Sequence, residues 1–298
     1  MTMPGSLRLH AIYAVLDDVR LFQASLASIY PFVESITVVT THDRDWKRVE
    51  RMPSEIPAVI LSRDLDPDRK IDLIVTNETN EARTRNRVMD FAAPRAHSLE
   101  VKPQHRGDHA LQVPDYFLIV DADEIYEEGA IDRIKGYVAR DRLPLYRVPC
   151  VRYFKRWNYR IEGFEWAVSL VRADQRLPYL RQRTQPLLRR VASRVPGLPA
   201  SWRDRMRGFA DVPPAVGMFH HGSYVGPRSR IAAKVRSFGH ADEVAASWLT
   251  DVYDRWTPGS RNFNPAFPEL FAAARRVDVD TLPREIRDHH WPEDYLER

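Results

Sequence analysis

The sequence is poor in cysteine and in long apolar runs, and each shortage removes a class of protein. One cysteine, Cys150, stands among 298 residues. A single thiol excludes an intramolecular disulfide framework and a cysteine-rich zinc site, and leaves a reducing compartment as the default. In its apolar setting Cys150 reads as core rather than as a nucleophile. No apolar run approaches the roughly 20 residues that span a bilayer, and the first residues lack a basic segment followed by a long apolar one. The expectation is a cytoplasmic protein without a transmembrane segment. Glycine is missing where phosphate chemistry would need it: Ala14-Val15-Leu16-Asp17-Asp18, after the first apolar run, has none. That weighs against the glycine-rich loop of a nucleotidyltransferase. No internal repeat or low-complexity tract occurs.

Charge is nearly balanced but unevenly placed. The chain totals +4, yet residues 176–207 hold nine arginines against one acid, Asp204, so this segment carries +8 and the remainder sums to −4. Such a block suits a polyanionic partner: nucleotide phosphates, an anionic acceptor, a membrane surface touched peripherally, or nucleic acid. It equally suits a solvated surface. Only Tyr179 and Trp202 accompany the arginines, and no nucleic-acid motif is present, so specific nucleic-acid binding is not expected. A non-catalytic module that binds polyanions through this block is the alternative to an enzyme.

What is present is an alternation of strand and helix. Leu7–Leu16 reads as a buried strand, Val19–Ile29 as a helix capped by Asp17 or Asp18 with Leu21, Ser25, Leu26 and Ser28 inward, Ser35–Thr40 as a second strand and Pro57–Leu61 as a third. Asn77–Ala93 reads as a helix ended by Pro94, with Asn86 in register with its apolar stripe as a structural amide or a ligand contact. Arg83 and Arg87 share a neighbouring face, within reach of an anion or simply solvated. His97, His105 and His109 lie in the following loop at no metal-site spacing. Then Phe117-Leu118-Ile119-Val120 runs straight into Asp121-Ala122-Asp123-Glu124. In open α/β sheets ligands bind beyond the carboxyl ends of strands, and one or two carboxylates there hold Mg2+ or Mn2+ together with substrate phosphates. The competing reading is that the acids favour the start of a helix over residues 127–140.

Leu145–Phe154 and Glu165–Arg172 read as strands. Trp157, Tyr159, Phe164 and Trp166 between and within them form either a stacking platform for a sugar or base, or satellite core. Val216–Tyr224 contains a short apolar strand ending in His220-His221. Arg228–Ala246 reads as a helix holding Lys234 and His240, and Trp248–Trp256 and Pro268–Val277 as further helices. One domain over 1–298 is expected: an α/β core over 1–175, a basic irregular insertion over 176–215, and a C-terminal part over 216–298 that completes the site. One imidazole with two carboxylates suits Mn2+ or Mg2+ when diphosphate oxygens and water fill the shell.

Taken together, Ser28–Val33, Arg85-Asn86, Asp121-Ala122-Asp123-Glu124-Ile125 and the segment from His220-His221 to His240 resemble the GT-A class of nucleotide-sugar-dependent glycosyltransferases. Within it the chain looks most like the bisecting N-acetylglucosaminyltransferase branch, in which an Asp-Ala-Asp-Glu-Ile run precedes a histidine-containing strand and a helix with Lys-x-x-Ser, here Lys234–Ser237. The resemblance implies a GT-A-like, Rossmann-type α/β fold: a mostly parallel central sheet flanked by helices, with a C-terminal helical part. It implies a nucleoside-diphosphate sugar as donor, a saccharide or other hydroxyl compound as acceptor, and Mn2+ or Mg2+ as cofactor. Asp123 would bind the metal, with Asp121 supporting metal, ribose or donor sugar beside Ala122. His220 or His221, the former slightly preferred, would complete the coordination. Lys234 would offset charge growing on the leaving diphosphate. Thr40, Thr41 and Asp43 would flank the nucleoside, with Arg83 and Asn86 near the donor. If the anomeric centre inverts, Glu165 is the first candidate for the base and Glu162 the second; either also suits a surface glutamate.

Overall fold

A computed structural model describes residues 7–16, 18–41, 54–60, 62, 64–76, 81–92, 115–175, 208–237 and 241–298, with backbone only for 81, 82 and 92. Asp17, Asp43, His97, His105, His109, His240 and the arginine block over 176–207 lie outside the described residues. Among the described residues ten strands join in one sheet: β1 (Leu9–Ala14), β2 (Ser35–Thr40), β3 (Ile71–Val75), β4 (Tyr116–Asp121), β5 (Glu124–Tyr126), β6 (Leu145–Ile161), β7 (Glu165–Arg172), β8 (Phe209–Asp211), β9 (Phe219–Val225) and β10 (Ala274–Arg276). Their order is β3-β2-β1-β4-β7-β6-β9-β5, with β8 and β10 also paired to β6.

The expected mostly parallel sheet is a mixed one. Strands β3, β2, β1 and β4 are mutually parallel. From β4 onward, β7 pairs antiparallel with both β4 and β6, and β5 pairs antiparallel with β9. The turn between β6 and β7 explains the change: residues 162–164 are too few for a crossover, so the chain can only return as a hairpin. Parallel strands must be covered on both faces. Ala11, Tyr13, Leu118 and Val120 pack on one side with helices α1 (Val19–Ile29) and α4 (Ala130–Asp141). Ile12, Phe117 and Ile119 pack on the other with Val88 and Met89 of α3 (Glu81–Ala92).

Several boundaries move. The run expected as a third strand at Pro57–Leu61 is helical, α2 (Ile56–Ile60), with the Ile56 N–H donating to the Ser54 hydroxyl at 3.2 Å; the third parallel strand is Ile71–Val75. Strand β6 continues to Ile161, so Trp157 and Tyr159 belong to it: Trp157 is fully buried and Tyr159 packs edge-on against Trp256. The helix begun at Arg228 is α5 (Arg228–Ser237), shorter than expected. The rest of the C-terminal part is not helical in the way its composition suggests. It contains one π turn at Leu249–Tyr253, a 3-10 turn at Pro268–Phe271 and strand β10. Pro258, Pro265 and Pro268 interrupt any long helix there, and the aromatics instead gather round Phe154: Tyr224, Trp248, Tyr253, Trp256, Phe263 and Phe271. No helix among the described residues is long and apolar enough to cross a membrane.

The parallel half also carries a pH-dependent element. His10 of β1 is buried, with Nδ1 2.6 Å from the Ser35 hydroxyl and Nε2 2.9 Å from that of Thr37. Burial pushes its pKa down from 6.5 to about 4. As pH falls the unfolded chain takes the proton first, so the stability gained from a neutral His10 is complete above 6.5 and is lost between 6.5 and about 4. That interval corresponds to about 3 kcal/mol. Urea unfolding at neutral pH and near pH 4.5 should show wild type losing about that much more stability than His10→Asn; equal losses would contradict it.

Candidate active site

The acids that end β4 are fixed by helix α1 from beneath. Ser25 donates its hydroxyl to the Glu124 carbonyl at 2.5 Å and is itself 2.9 Å from the Tyr13 hydroxyl, while the Ser28 hydroxyl accepts the Tyr126 N–H at 3.1 Å. Ser25 and Ser28 are therefore inward-facing, as the helical spacing predicts, and their polarity serves the acid turn. The Asp121 N–H donates to Glu124 Oε2 at 3.1 Å, which closes the turn on itself.

Strand β9 then arrives antiparallel to β5, pairing His221 with Glu124 and His220 with Ile125, and the Gly222 N–H donates to the Asp123 carbonyl at 2.8 Å. Successive side chains on a strand point to opposite faces. His221 Nε2 lies 3.2 Å from Asp123 Oδ1. His220 faces away: Nδ1 is 2.8 Å from the Tyr153 hydroxyl and Nε2 is 3.2 Å from Glu127 Oε1. Burial holds the His220 pKa below its ordinary value against the opposing pull of Glu127. Of the two neighbouring histidines, it is His221 and not the preferred His220 that meets the acid.

Helix α5 supplies the cations. Lys234 Nζ lies 2.6 Å from Asp123 Oδ2, and one turn earlier Arg230 lies 3.6 Å from the same oxygen. Arg230 is buried and forked onto Asp18, at 2.6 and 2.8 Å, while also donating to the carbonyls of Ser223 and Val225 at 3.0 and 2.7 Å. Asp18 was expected to cap α1; it sits instead in the left-handed region at φ 67° without a capping bond, and its carboxylate goes to Arg230. Burial works to raise the Asp123 pKa, but Lys234, His221 and Arg230 outweigh it and hold the carboxyl well below the usual range. Glu124 goes the other way: burial, then the charges of Asp121 and Asp123, push it well above. Asp121 pairs with Arg85 of α3, a buried guanidinium.

These residues accept a divalent cation only in part. Asp123 Oδ1 and His221 Nε2, 3.2 Å apart, match adjacent corners of an octahedron with ~2.1 Å bonds, which lie roughly 3 Å apart. Lys234 occupies the other carboxylate oxygen, so a cation need not displace it. No cluster of three or more His, Cys, Asp or Glu side chains suited to a metal occurs among the described residues; a cation on this pair would need its other ligands from phosphate oxygens and water.

The other expected site residues are less concentrated. Thr40 and Thr41 are buried at the end of β2, next to β3. Ala122 is buried in the acid turn, Arg83 is exposed on α3 and Asn86 is half-buried there. Glu165 opens β7 in an ion pair with Arg152 at 2.6 Å, and Arg152 stands opposite His221 in the β6–β9 register. Glu162 is exposed in the β6–β7 turn. Arg230 was not anticipated, and Asp18 only as a helix cap; the one sequence signal for Arg230 was its i, i+4 spacing from Lys234, which puts both on one face of a helix.

No family model and no curated protein sequence matches this chain. Among solved structures, Staphylococcus aureus TarS residues 1–349 is similar at 10% identity and a TM-score of 0.39, over 77% of this chain and 64% of that one. A second TarS structure is similar at 9% identity and a TM-score of 0.38, over 77% of this chain and 38% of that one. The chain thus spans less than two thirds of either, and at that similarity neither bears on its function.

Proposed function

We propose that this chain is a metal-dependent glycosyltransferase that moves a sugar from a nucleoside-diphosphate sugar to a hydroxyl acceptor. The observation that carries the proposal is the convergence on Asp123: a carboxylate at the end of a central strand, with an imidazole on one oxygen and an ammonium on the other. The glycosyltransferase-like order of motifs along the sequence is consistent with it. Asp123 and His221 would hold Mn2+ or Mg2+, with Asp121 close by. When bound, the ion would stabilise negative charge on the departing diphosphate.

The chain's own residues do the rest. Lys234 adds a positive charge beside Asp123, where the diphosphate oxygens would lie, and Arg85 does so beside Asp121. As the acceptor oxygen bonds to the anomeric carbon, the bond to the diphosphate breaks and its electron pair leaves with the phosphate. In an inverting reaction the acceptor proton passes to a carboxylate on the opposite side. Glu165 is the candidate, two strands from β9 or roughly 10 Å away, with Arg152 orienting its carboxylate. Glu162, exposed in the adjoining turn, is the second. Titration calorimetry with the diphosphates of each common nucleoside should show at least one binding in the presence of manganese and losing most of its affinity in chelator. Absence of binding for every base would overturn the proposal.

A further inference from the structure

The four aromatics between and within β6 and β7 divide sharply. Trp157 is fully buried and Tyr159 packs on Trp256, whereas Phe164 and Trp166 are 39% and 40% exposed and Val168, next in the alternation, is 38% exposed. Residues two apart on a strand share a face, so β7 turns an apolar strip outward. Half of the six large apolar side chains exposed among the described residues lie in this strip. Scattered single exposures are ordinary, whereas a contiguous row marks a binding surface.

Over Glu165–Val168 strand β7 is paired with β6, while its pairing with β4 is confined to Leu170–Arg172. What the outward face itself offers a ligand is side chains. The polar groups flanking the strip suit a ligand that is apolar on one side and hydroxylated at its margin. Arg147 stands opposite Val168 on the same face, half-exposed and forked onto Asp211 at 2.5 and 2.6 Å. The Arg160 guanidinium lies 5.5 Å over the Phe164 ring. A sugar ring has this duality: C–H groups on a flat side and hydroxyls round the edge, which an aromatic face and a charged pair complement. Because β7 runs antiparallel to β4, its Phe164–Val168 end lies at the end of the sheet where β4 finishes in Asp121, with Glu165 itself turned to the opposite face from Trp166.

We infer that the outward face of β7, centred on Trp166 with Phe164 and Val168, binds a saccharide acceptor by stacking. The inference rests on the glycosyltransferase proposal for its meaning, and its test separates the two. The probe is a panel of methyl hexosides and methyl N-acetylhexosaminides, read by saturation-transfer NMR on the full chain with and without manganese and the best-binding nucleoside diphosphate. Wild type should transfer saturation to ring C–H protons of at least one glycoside, Trp166→Ala should weaken that binding about tenfold, and Trp166→Phe should retain part of it. Nucleotide binding should stay within about twofold in both variants. Glycoside binding indifferent to Trp166, or none in a nucleotide-binding wild type, would overturn the inference. So would a change from dimer to monomer in Trp166→Ala during sedimentation, or wild-type flotation with phosphatidylglycerol vesicles that this variant loses, since the face would then belong to a second copy or a lipid surface. Glycoside binding through Trp166 without any nucleotide binding would leave the saccharide surface standing and overturn the transferase.

Discussion

Asp123→Asn should cost on the order of a hundredfold or more in metal-dependent nucleotide affinity, because it removes the one carboxylate on which His221 and Lys234 both converge. The substitution keeps the shape of the side chain, so the backbone contact from Gly222 to the Asp123 carbonyl is untouched. A second measurement separates loss of a ligand from loss of the fold. In chelator, the variant should bind the nucleoside diphosphate no worse than wild type, because Lys234 is then released from its anion to face the phosphate. Calorimetry with manganese and with chelator checks both halves. Metal-dependent affinity that survives the substitution would remove Asp123 from the role.

The largest effect on stability is expected at Arg230. Its side chain is 8% exposed, and its guanidinium meets Asp18, Asp123 and three carbonyls at once. Removing one partner of a buried ion pair strands the other, at a cost of about 3–5 kcal/mol. Arg230→Met should therefore lower the unfolding free energy from urea titration by that amount, and adding Asp18→Asn should recover part of it, since Asp18 would no longer be a stranded charge. Arg230→Lys should not rescue, because an ammonium cannot fork onto both Asp18 oxygens while reaching the carbonyls of β9. A loss below about 1 kcal/mol in Arg230→Met would mean that water replaces the guanidinium freely.

Much of this arrangement is legible in the sequence, and the parts that are not have identifiable causes. The run from Phe117 into Asp121 and Asp123 announces a buried strand with a polar end, and the apolar residues before His220 announce a second. What sequence cannot specify is which neighbouring histidine faces the acid. That follows from the β5–β9 register, in which a shift of one residue would exchange the two rings. The run at Pro57–Leu61 misleads because five apolar residues fit a short helix as well as a strand, and only the Ser54 contact and the later pairing of Ile71–Val75 with β2 decide it. Asp18 looks like a helix cap because carboxylates before helices usually are; its partner lies at residue 230, on a distant helix. The nucleoside-flanking role expected of Thr40 and Thr41 draws on the end of β2, where both prove buried.

The pairing of Glu124 with His221 has a consequence for the order in which the protein can assemble. Strands β1 to β4 and helices α1 and α3 come from the first 121 residues, so the parallel half can begin to form on nascent chain alone. The acids at its edge meet neither imidazole nor ammonium until residues 221 and 234 have been synthesised. Contacts so distant in sequence close late, after the loop entropy between them has been overcome. A chain truncated before α5 would thus present Asp123 without Lys234 or Arg230, and would be an incompletely neutralised folding intermediate rather than a smaller folded protein.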